Sequence, residues 1–540
     1  MSESRIQLLD CTLRDGAYIN HAKFGMPAMK GIIKNLQRAG VEIIECGWLK
    51  DDDYVEGTTY YHMPSDIEPY LIDRKDDVTY VVMIDWDRYD VERLPEYDGK
   101  SIDAIRVVFP WGKHREAILV GERIRRKGYQ VYFQAANTLA YDEDELRELA
   151  DCINEFEPVS LSVVDTFGAM FEEDLDRITE VLSENMKKSI KIGFHSHNNQ
   201  QLSFSLTMHF IRRMREKNRD CVVDASLCGM GRGAGNATTE LVVSYLNRKQ
   251  SGGYDLDAVL DAIDKYMVEF QEKYRWGYST SFFIAGMYQC HVNNIDYLLT
   301  NHRTNAKDMR NIISSLNEEE RRKYDYDLLE TRYIENQSRL VDDEEVLNEL
   351  TEELSSGEIL LLCPGKSLID KRGGVEAYIR ECQPTVIGVN AVIPGYDYDY
   401  LFFLSHARYE YTRDTYPDVF MKAKKLVLSN VHRKPHTDDE RLVGFNRVIK
   451  RGWRYFDNAA VCCMRLMDQV GVNSIHIAGF DGFGTRYNET YADSSIPSVN
   501  VEDNWNQLNE DIQDMVIDFR KTSRHLKEIC FVTQSVFDLF

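Results

Sequence analysis

Residues 130–164, QVYFQAANTLAYDEDELRELADCINEFEPVSLSVV, decide the fold. An apolar run at Gln130–Gln134 predicts a strand, the spacing over Glu143–Glu155 predicts an amphipathic helix, and Val159–Val164 predicts a second strand. Working outward, the same alternation recurs from the N-terminus to about residue 300. Further strands are expected at Ile6–Leu9, Val41–Cys46, Val78–Ile84, Ala104–Phe109, Ile190–Phe194 and Val222–Leu227. Further helices are expected at Pro27–Ala39, Arg115–Lys127, Glu172–Asn185 and Leu202–Lys217. Such alternation calls for a parallel sheet covered by helices. About eight units in roughly 250 residues match a (β/α)8 TIM barrel. The competing arrangement, an open doubly wound sheet, would bind its ligand at a strand-order switch instead.

The chain has 540 residues, of which 43% are hydrophobic and 29% charged, the balance of a globular protein rather than a disordered one. Its length predicts two to four domains. With 65 basic and 89 acidic side chains the net charge is −24, which disfavours nucleic acid and anionic lipid as partners. No apolar run is long enough to span a membrane, and MSESRIQLLD lacks the apolar core of a secretion signal. Eleven scattered cysteines without a CxxC pair suit a reducing compartment, so a cytoplasmic protein is expected. The composition shifts after residue 300. We therefore expect a barrel over residues 1–300, a charged helical connector over 301–356, and a second, Rossmann-like α/β domain over 357–540.

The chemistry-bearing segments follow predicted strands. LLDCTLRDGAYIN places Asp10, Arg14 and Asp15 after the first strand, and GFHSHNNQ places His195 and His197 two residues apart after the seventh. Positions i and i+2 of a strand share a face, so both imidazoles can point inward. Two imidazoles and a carboxylate form a mixed nitrogen and oxygen set for a divalent metal. After the eighth strand, SLCGMGRGAGNATTE carries Gly233 and Gly235 in a loop whose backbone can approach a ligand. Glu45, Asn137 and Asp165 end other strands on the same face and are candidate substrate contacts. Each pattern alone also suits a structural residue. Their joint placement on one barrel face is what points to a site.

DCTLRDG, HSHNN and GAGNATTE, in that order, resemble the motifs of the DRE-TIM metallolyases, the superfamily of HMG-CoA lyase, isopropylmalate synthase and 4-hydroxy-2-oxovalerate aldolase. The resemblance implies metal ligation by Asp15, His195 and His197, with Asn236 as a further ligand, and an enolate-stabilising role for Arg14. Ala17 and Tyr18 stand where the acyl-CoA-condensing members carry Gln, which favours the aldolase branch. That branch also has a segment like RWGYSTSFFIAGMYQ beyond the barrel, whose tyrosine corresponds to Tyr278. The aldolases place a catalytic His where this chain has Tyr18, and His21 follows shortly after. The general base is therefore open among Tyr18, His21, Tyr278 and a metal-bound water.

The implied activity is a divalent-metal-dependent aldolase or lyase acting through a pyruvate-type enolate. Mn²⁺ or Mg²⁺ would be the cofactor, and a 2-oxo acid and an aldehyde the small-molecule partners. Self-association into a homo-oligomer is left open. Alternatives are an acyl-CoA-dependent condensing transferase and a bifunctional enzyme of glycan or nucleotide-sugar metabolism. The latter reading comes from the second domain, where CPGKSL and GFD resemble sialyltransferase-like and pterin-pyrophosphokinase-like domains. There Gly365, Lys366, Ser367 and Asp481 are the candidate ligand residues, for a phosphate or nucleotide.

Overall fold

The computed structural model describes residues 4–538 apart from 303, 339–340, 433, 454–455, 485–490, 494 and 497–504. The chain forms two compact units, residues 1–295 with 317–324, and residues 296–316 with 325–540.

The first unit contains β1 (Ile6–Asp10), β2 (Ile43–Leu49), β3 (Tyr60–Tyr61), β4 (Thr79–Asp85), β5 (Ala104–Phe109), β6 (Gln130–Ala135), β7 (Ser160–Asp165), β8 (Lys191–Ser196) and β9 (Cys221–Ala225). Pairing runs β1-β9-β8-β7-β6-β5-β4-β2, and a β1–β2 pairing closes the ring. All ring pairs are parallel, and β3 hangs on β2 outside the circle. These are the eight strands expected from the sequence, displaced by at most three residues at either end.

Local chemistry sets the helices. Asp142 accepts the Glu145 N–H at 2.8 Å while the Glu145 carboxylate accepts the Asp142 N–H at 2.9 Å, a capping box that starts helix Glu143–Phe156. Helix Met26–Ala39 has Pro27 in its first turn and stops at Gly40, whose φ of 79° is left-handed. Its Ile32, Ile33 and Leu36 are fully buried, each contributing about 1.5–3 kcal/mol of apolar burial. The crossovers from β2 to β4 and from β4 to β5 depart from the repeat. They carry only short turns at Pro64–Asp66, Glu68–Tyr70 and Val91–Arg93, because prolines 64, 69 and 95 interrupt them.

Strand periodicity stacks the barrel interior in layers. Ile43, Val81, Ala104, Tyr132 and Val222 form an apolar layer. Two residues further along the same strands stand Glu45, Met83, Arg106, Gln134 and Asp224, of which all but Met83 are polar or charged. The floor of the site is therefore ionic and lies on a dry plug.

The second unit holds β10 (Ile359–Leu362), β11 (Thr385–Val389), β12 (Tyr400–Phe403), β13 (Lys424–Leu428), β14 (Glu440–Val443), β15 (Ser474–Ala478) and β16 (Glu528–Phe531). They form one parallel sheet in the order β14-β13-β12-β11-β10-β15-β16. The order reverses between β10 and β15, which makes the sheet doubly wound. The described residues among 301–356 are largely helical, with helices including Ala306–Ser315, Glu318–Arg322 and Glu344–Leu354; apart from residues 317–324 they belong to the second unit. No helix among the described residues is long and apolar enough to cross a membrane.

Candidate functional site

Asp15, His195 and His197 converge at the carboxyl ends of β1 and β8. Their ligating atoms lie within 4.8 Å of one another, and all three residues are buried. Asp15 ends a single helical turn after β1, and His195 and His197 leave β8 on the same face. Asn236 is brought in by backbone bridging between itself and His197. Its Nδ2 donates to Asp15 Oδ2 at 2.7 Å, whereas its Oδ1 is buried with no hydrogen-bond partner. His197 Nδ1 is likewise buried and unpartnered. A Cβ at Gly231 would come within 2.4 Å of both Asp15 Oδ2 and Asn236 Nδ2, so only glycine fits beside the group.

Around this set runs a chain of buried charges. Arg14 donates through Nη1 to Asp15 and through Nε to Glu45 at 2.7 Å. Arg106 lies 2.8 Å from the same Glu45 oxygen and donates to Asp224 at 2.5 Å and Gln134 at 2.8 Å. Asp224 in turn lies 3.1 Å from His195 Nδ1. That contact orients the imidazole and leaves its Nε2 for a ligand role. Three carboxylates against two guanidiniums leave one net negative charge, −3 + 2 = −1. The two imidazoles complete a donor set that fits a divalent cation.

The electrostatics agree. Burial opposes charge on Asp15, yet Arg14 and both imidazoles overcome it and hold the carboxyl well below its usual range. Burial, reinforced by His195, Arg232 and Arg14 against the pull of Asp15, lowers His197 to about 4 and keeps its lone pair free at neutral pH. Loss of hydration pushes the Tyr18 phenol up to about 12, so Tyr18 is a proton donor at rest.

The remaining sequence candidates are placed as follows. Tyr18 is 41% exposed, its ring packed edge-on to Trp48 with centroids 6.1 Å apart. His21 is exposed, with a left-handed φ of 54° ending the Ala17–Asn20 turn, and makes no side-chain contact with the triad. Tyr278, 62% exposed, lines a cavity of about 590 Å³ that also touches Asn198 and Asn236. Glu45 is wholly buried; its Oε2 meets both Arg14 and Arg106, while its Oε1 has no hydrogen-bond partner among the described residues. Asn137 makes a left-handed turn, and its backbone N–H donates to Thr166. Asp165 accepts the N–H groups of Ala169 and Met170 at 2.8 and 3.2 Å, and burial raises it to about 7. Gly233 and Gly235, with φ of 66° and 85°, let the loop fold against Asn199 and the Gly229 carbonyl. Their freedom serves the loop's own packing.

Sequence reasoning missed Arg106 and Asp224. Both carry a signal: a charge within an otherwise apolar strand, AIRVVF and CVVDA.

In the second unit, Gly365 and Asp481 line a cavity at the strand-order switch together with Asn390, Arg408, Phe480 and Tyr491. The Ser367 N–H donates to Asp481 Oδ2 at 2.7 Å, and the Ser367 hydroxyl bonds the same carboxylate. The turn that could receive a phosphate is thus filled by the chain's own acid. Lys366 is exposed and stands outside the cavity lining. A second grouping, His432, His436 and Glu440, has ligating atoms equally close. Glu440 there accepts from the Tyr409 hydroxyl and the His436 N–H and lies 3.0 Å from His432 Nε2, which makes it a hydrogen-bonding hub.

Asp15, His195 and His197 at the carboxyl-end mouth of a barrel, with Arg14 beside them, form a set that could hold a divalent metal ion. Residues 109–266 match the HMGL-like family, so the first unit carries an HMGL-like domain. Over 263 residues the chain is 26% identical to oxaloacetate decarboxylase of Mycobacterium tuberculosis, covering 47% of this chain and 74% of that protein. Over 281 residues it is 25% identical to 4-hydroxy-2-oxovalerate aldolase of Chloroflexus aurantiacus, covering 48% and 74%. The solved HMG-CoA lyase of Bacillus subtilis is 16% identical with a TM-score of 0.40, covering 50% of this chain and 95% of that one.

Proposed function

We propose that the first unit is a divalent-metal-dependent carbon–carbon lyase of the pyruvate aldolase type, acting in the cytoplasm. The observation that carries this reading is the convergence of Asp15, His195 and His197 beside Arg14. Asp15, His195 and His197 would hold the ion, with Asn236 Oδ1 as a fourth donor, and oxygen donors on the substrate favour Mn²⁺ or Mg²⁺. When bound, the ion supplies Lewis acidity at the keto oxygen of a 2-oxo acid.

The chain's own residues do the rest. Arg14, locked by Asp15 and Glu45, presents a fixed cation where negative charge grows on the enolate oxygen. In the cleavage direction a base removes the proton of the carbinol, the bond to the aldehyde carbon breaks, and its electron pair enters the enolate. The neutral Tyr18 phenol then donates a proton to the enolate carbon, and the proton taken up by the base returns to the Tyr18 oxygen to restore the site. In the joining direction the same groups run in reverse, with an aldehyde as second substrate. Loss of carbon dioxide from a 2-oxo diacid would pass through the same enolate, and the similarity to a decarboxylase favours that as the second reading. Deuterium exchange at the pyruvate methyl tests both. Exchange that requires Mn²⁺ or Mg²⁺ and disappears in His195→Ala is expected; absence of exchange with every divalent metal overturns the proposal.

For the second unit we propose a phosphorylated or nucleotide-linked ligand in the switch-point cavity. Because Asp481 occupies Ser367, the ligand's anion would meet Arg408. Calorimetric titration of the full chain with nucleoside mono- and diphosphates is expected to show binding that Arg408→Gln weakens; no heat with any of them counts against the assignment.

A further inference from the structure

The wall of the barrel mouth carries two arginines on one aromatic pair. Arg14 lies 5.9 Å from the centroid of the Trp48 ring, and Arg232 lies 5.0 Å from the centroid of Tyr18, which packs on Trp48. The two are in opposite electrostatic states. Arg14 is saturated by Asp15 and Glu45, whereas Arg232 has no carboxylate within ion-pair distance among the described residues. This holds in a chain with 24 more acidic than basic side chains.

Arg232 is nevertheless fixed in place. Its backbone N–H donates to Asp15 Oδ2 at 3.3 Å, which ties the residue to the metal-ligating carboxylate. Its Nη2 donates to Asn293 Oδ1 at 2.9 Å and lies 2.9 Å from His291 Nε2. A neutral imidazole offers one lone pair, and the Asn293 N–H already points at His291 Nδ1 from 3.2 Å. Burial together with Arg232 lowers His291 to about 3, so the ring stays neutral. Nη2 is thus held by the Asn293 oxygen and the neutral His291 ring, and Nε and Nη1 bond nothing among the described residues. A half-buried guanidinium with donors to spare, held by neutral groups at the rim of an oxo-acid site, is an anion receptor.

We propose that Arg232 binds a second anionic group on the substrate, remote from the end that meets the metal ligands, so that the preferred substrate is a 2-oxo acid bearing a second carboxylate. This rests on the reading of the site as a 2-oxo acid lyase and names its substrate class. The 4-methyl ester of oxaloacetate keeps the 1-carboxylate and 2-oxo group but lacks the remote charge, which makes the two compounds matched probes. Binding is read on the Mn²⁺-loaded full chain as protection against thermal unfolding across ligand concentration. Pyruvate methyl exchange, which needs no remote anion, is followed in parallel.

The wild type is expected to bind oxaloacetate at least tenfold more tightly than the ester. Arg232→Gln is expected to bind the two equally, and Arg232→Lys to restore part of the preference. Equal binding of the two probes by the wild type, or a preference that survives Arg232→Gln, would each overturn the assignment. Failure of the lyase reading shows separately, as absence of pyruvate exchange in the wild type.

Discussion

The two units place an acid and a glycine turn at the ends of parallel strands, and they use them oppositely. In the barrel, Asp15 accepts from Arg14 and Asn236 while the buried His197 Nδ1 and Asn236 Oδ1 beside it remain unpartnered. At the β10–β15 switch, Asp481 is consumed by Ser367, whose hydroxyl also meets Thr533 at 2.9 Å. The first arrangement keeps donor atoms open at the cost of buried polar groups, whereas the second satisfies itself. A motif that looks ligand-ready in sequence is functional only where the fold leaves it unsatisfied.

The largest expected effect separates the two directly. Asp15→Asn should lower metal-dependent pyruvate exchange below detection, while Asp481→Asn should leave exchange unchanged; an equal loss in both would break the contrast. Next comes the ion chain beneath the site. Arg106→Leu leaves Glu45 and Asp224 buried without their shared cation, which should cost about 3–5 kcal/mol and be visible in denaturant unfolding of the barrel. Asp224→Asn should weaken metal binding about 10–100-fold through His195, read by competition with a chelator.

A smaller effect concerns pH. Burial raises Asp10 to about 6 although Thr12 and Thr239 hydrogen-bond to it. Because its folded value lies above the unfolded one, the folded state binds the extra proton. Its contribution is then most favourable below pH 4 and declines as the pH rises to about 6, by about 2–3 kcal/mol. Asp10→Asn should remove that slope from the stability profile between pH 4 and 6. Glu440 in the second unit is held down to about 2, with burial opposed by His432, Tyr409 and the His436 N–H. Its contribution is present above the ordinary glutamate range and is lost as acid approaches pH 2, the opposite direction. The smallest effect is Ser367→Ala, which removes the hydroxyl to Asp481 and should cost about 1 kcal/mol.

Much of the barrel was legible because each strand carries its own apolar run and the motifs sit at strand ends. The triad follows from HxH on one strand face and RDG after another. The missed parts have physical reasons. Arg106 and Asp224 are 118 residues apart, and only ring closure shows that their charges meet. Glu45 lies near the mouth end of β2, and only the closed ring shows that Arg14 and Arg106 share its Oε2 while its Oε1 stays without a hydrogen-bond partner among the described residues. His21 looked like a replacement base by proximity in sequence, and a left-handed turn carries it to the surface. Arg232 reads as one residue of a glycine loop until Asn293, 61 positions away, is seen to hold it.

The central claim is a single cation shared by Asp15, His195 and His197. Anomalous diffraction from crystals of the Mn²⁺-loaded protein tests it most directly. The account predicts one strong peak about 2.0–2.3 Å from a carboxylate oxygen of Asp15 and an imidazole nitrogen of each histidine. A fully loaded crystal with no density there, or with manganese bound elsewhere instead, would contradict it.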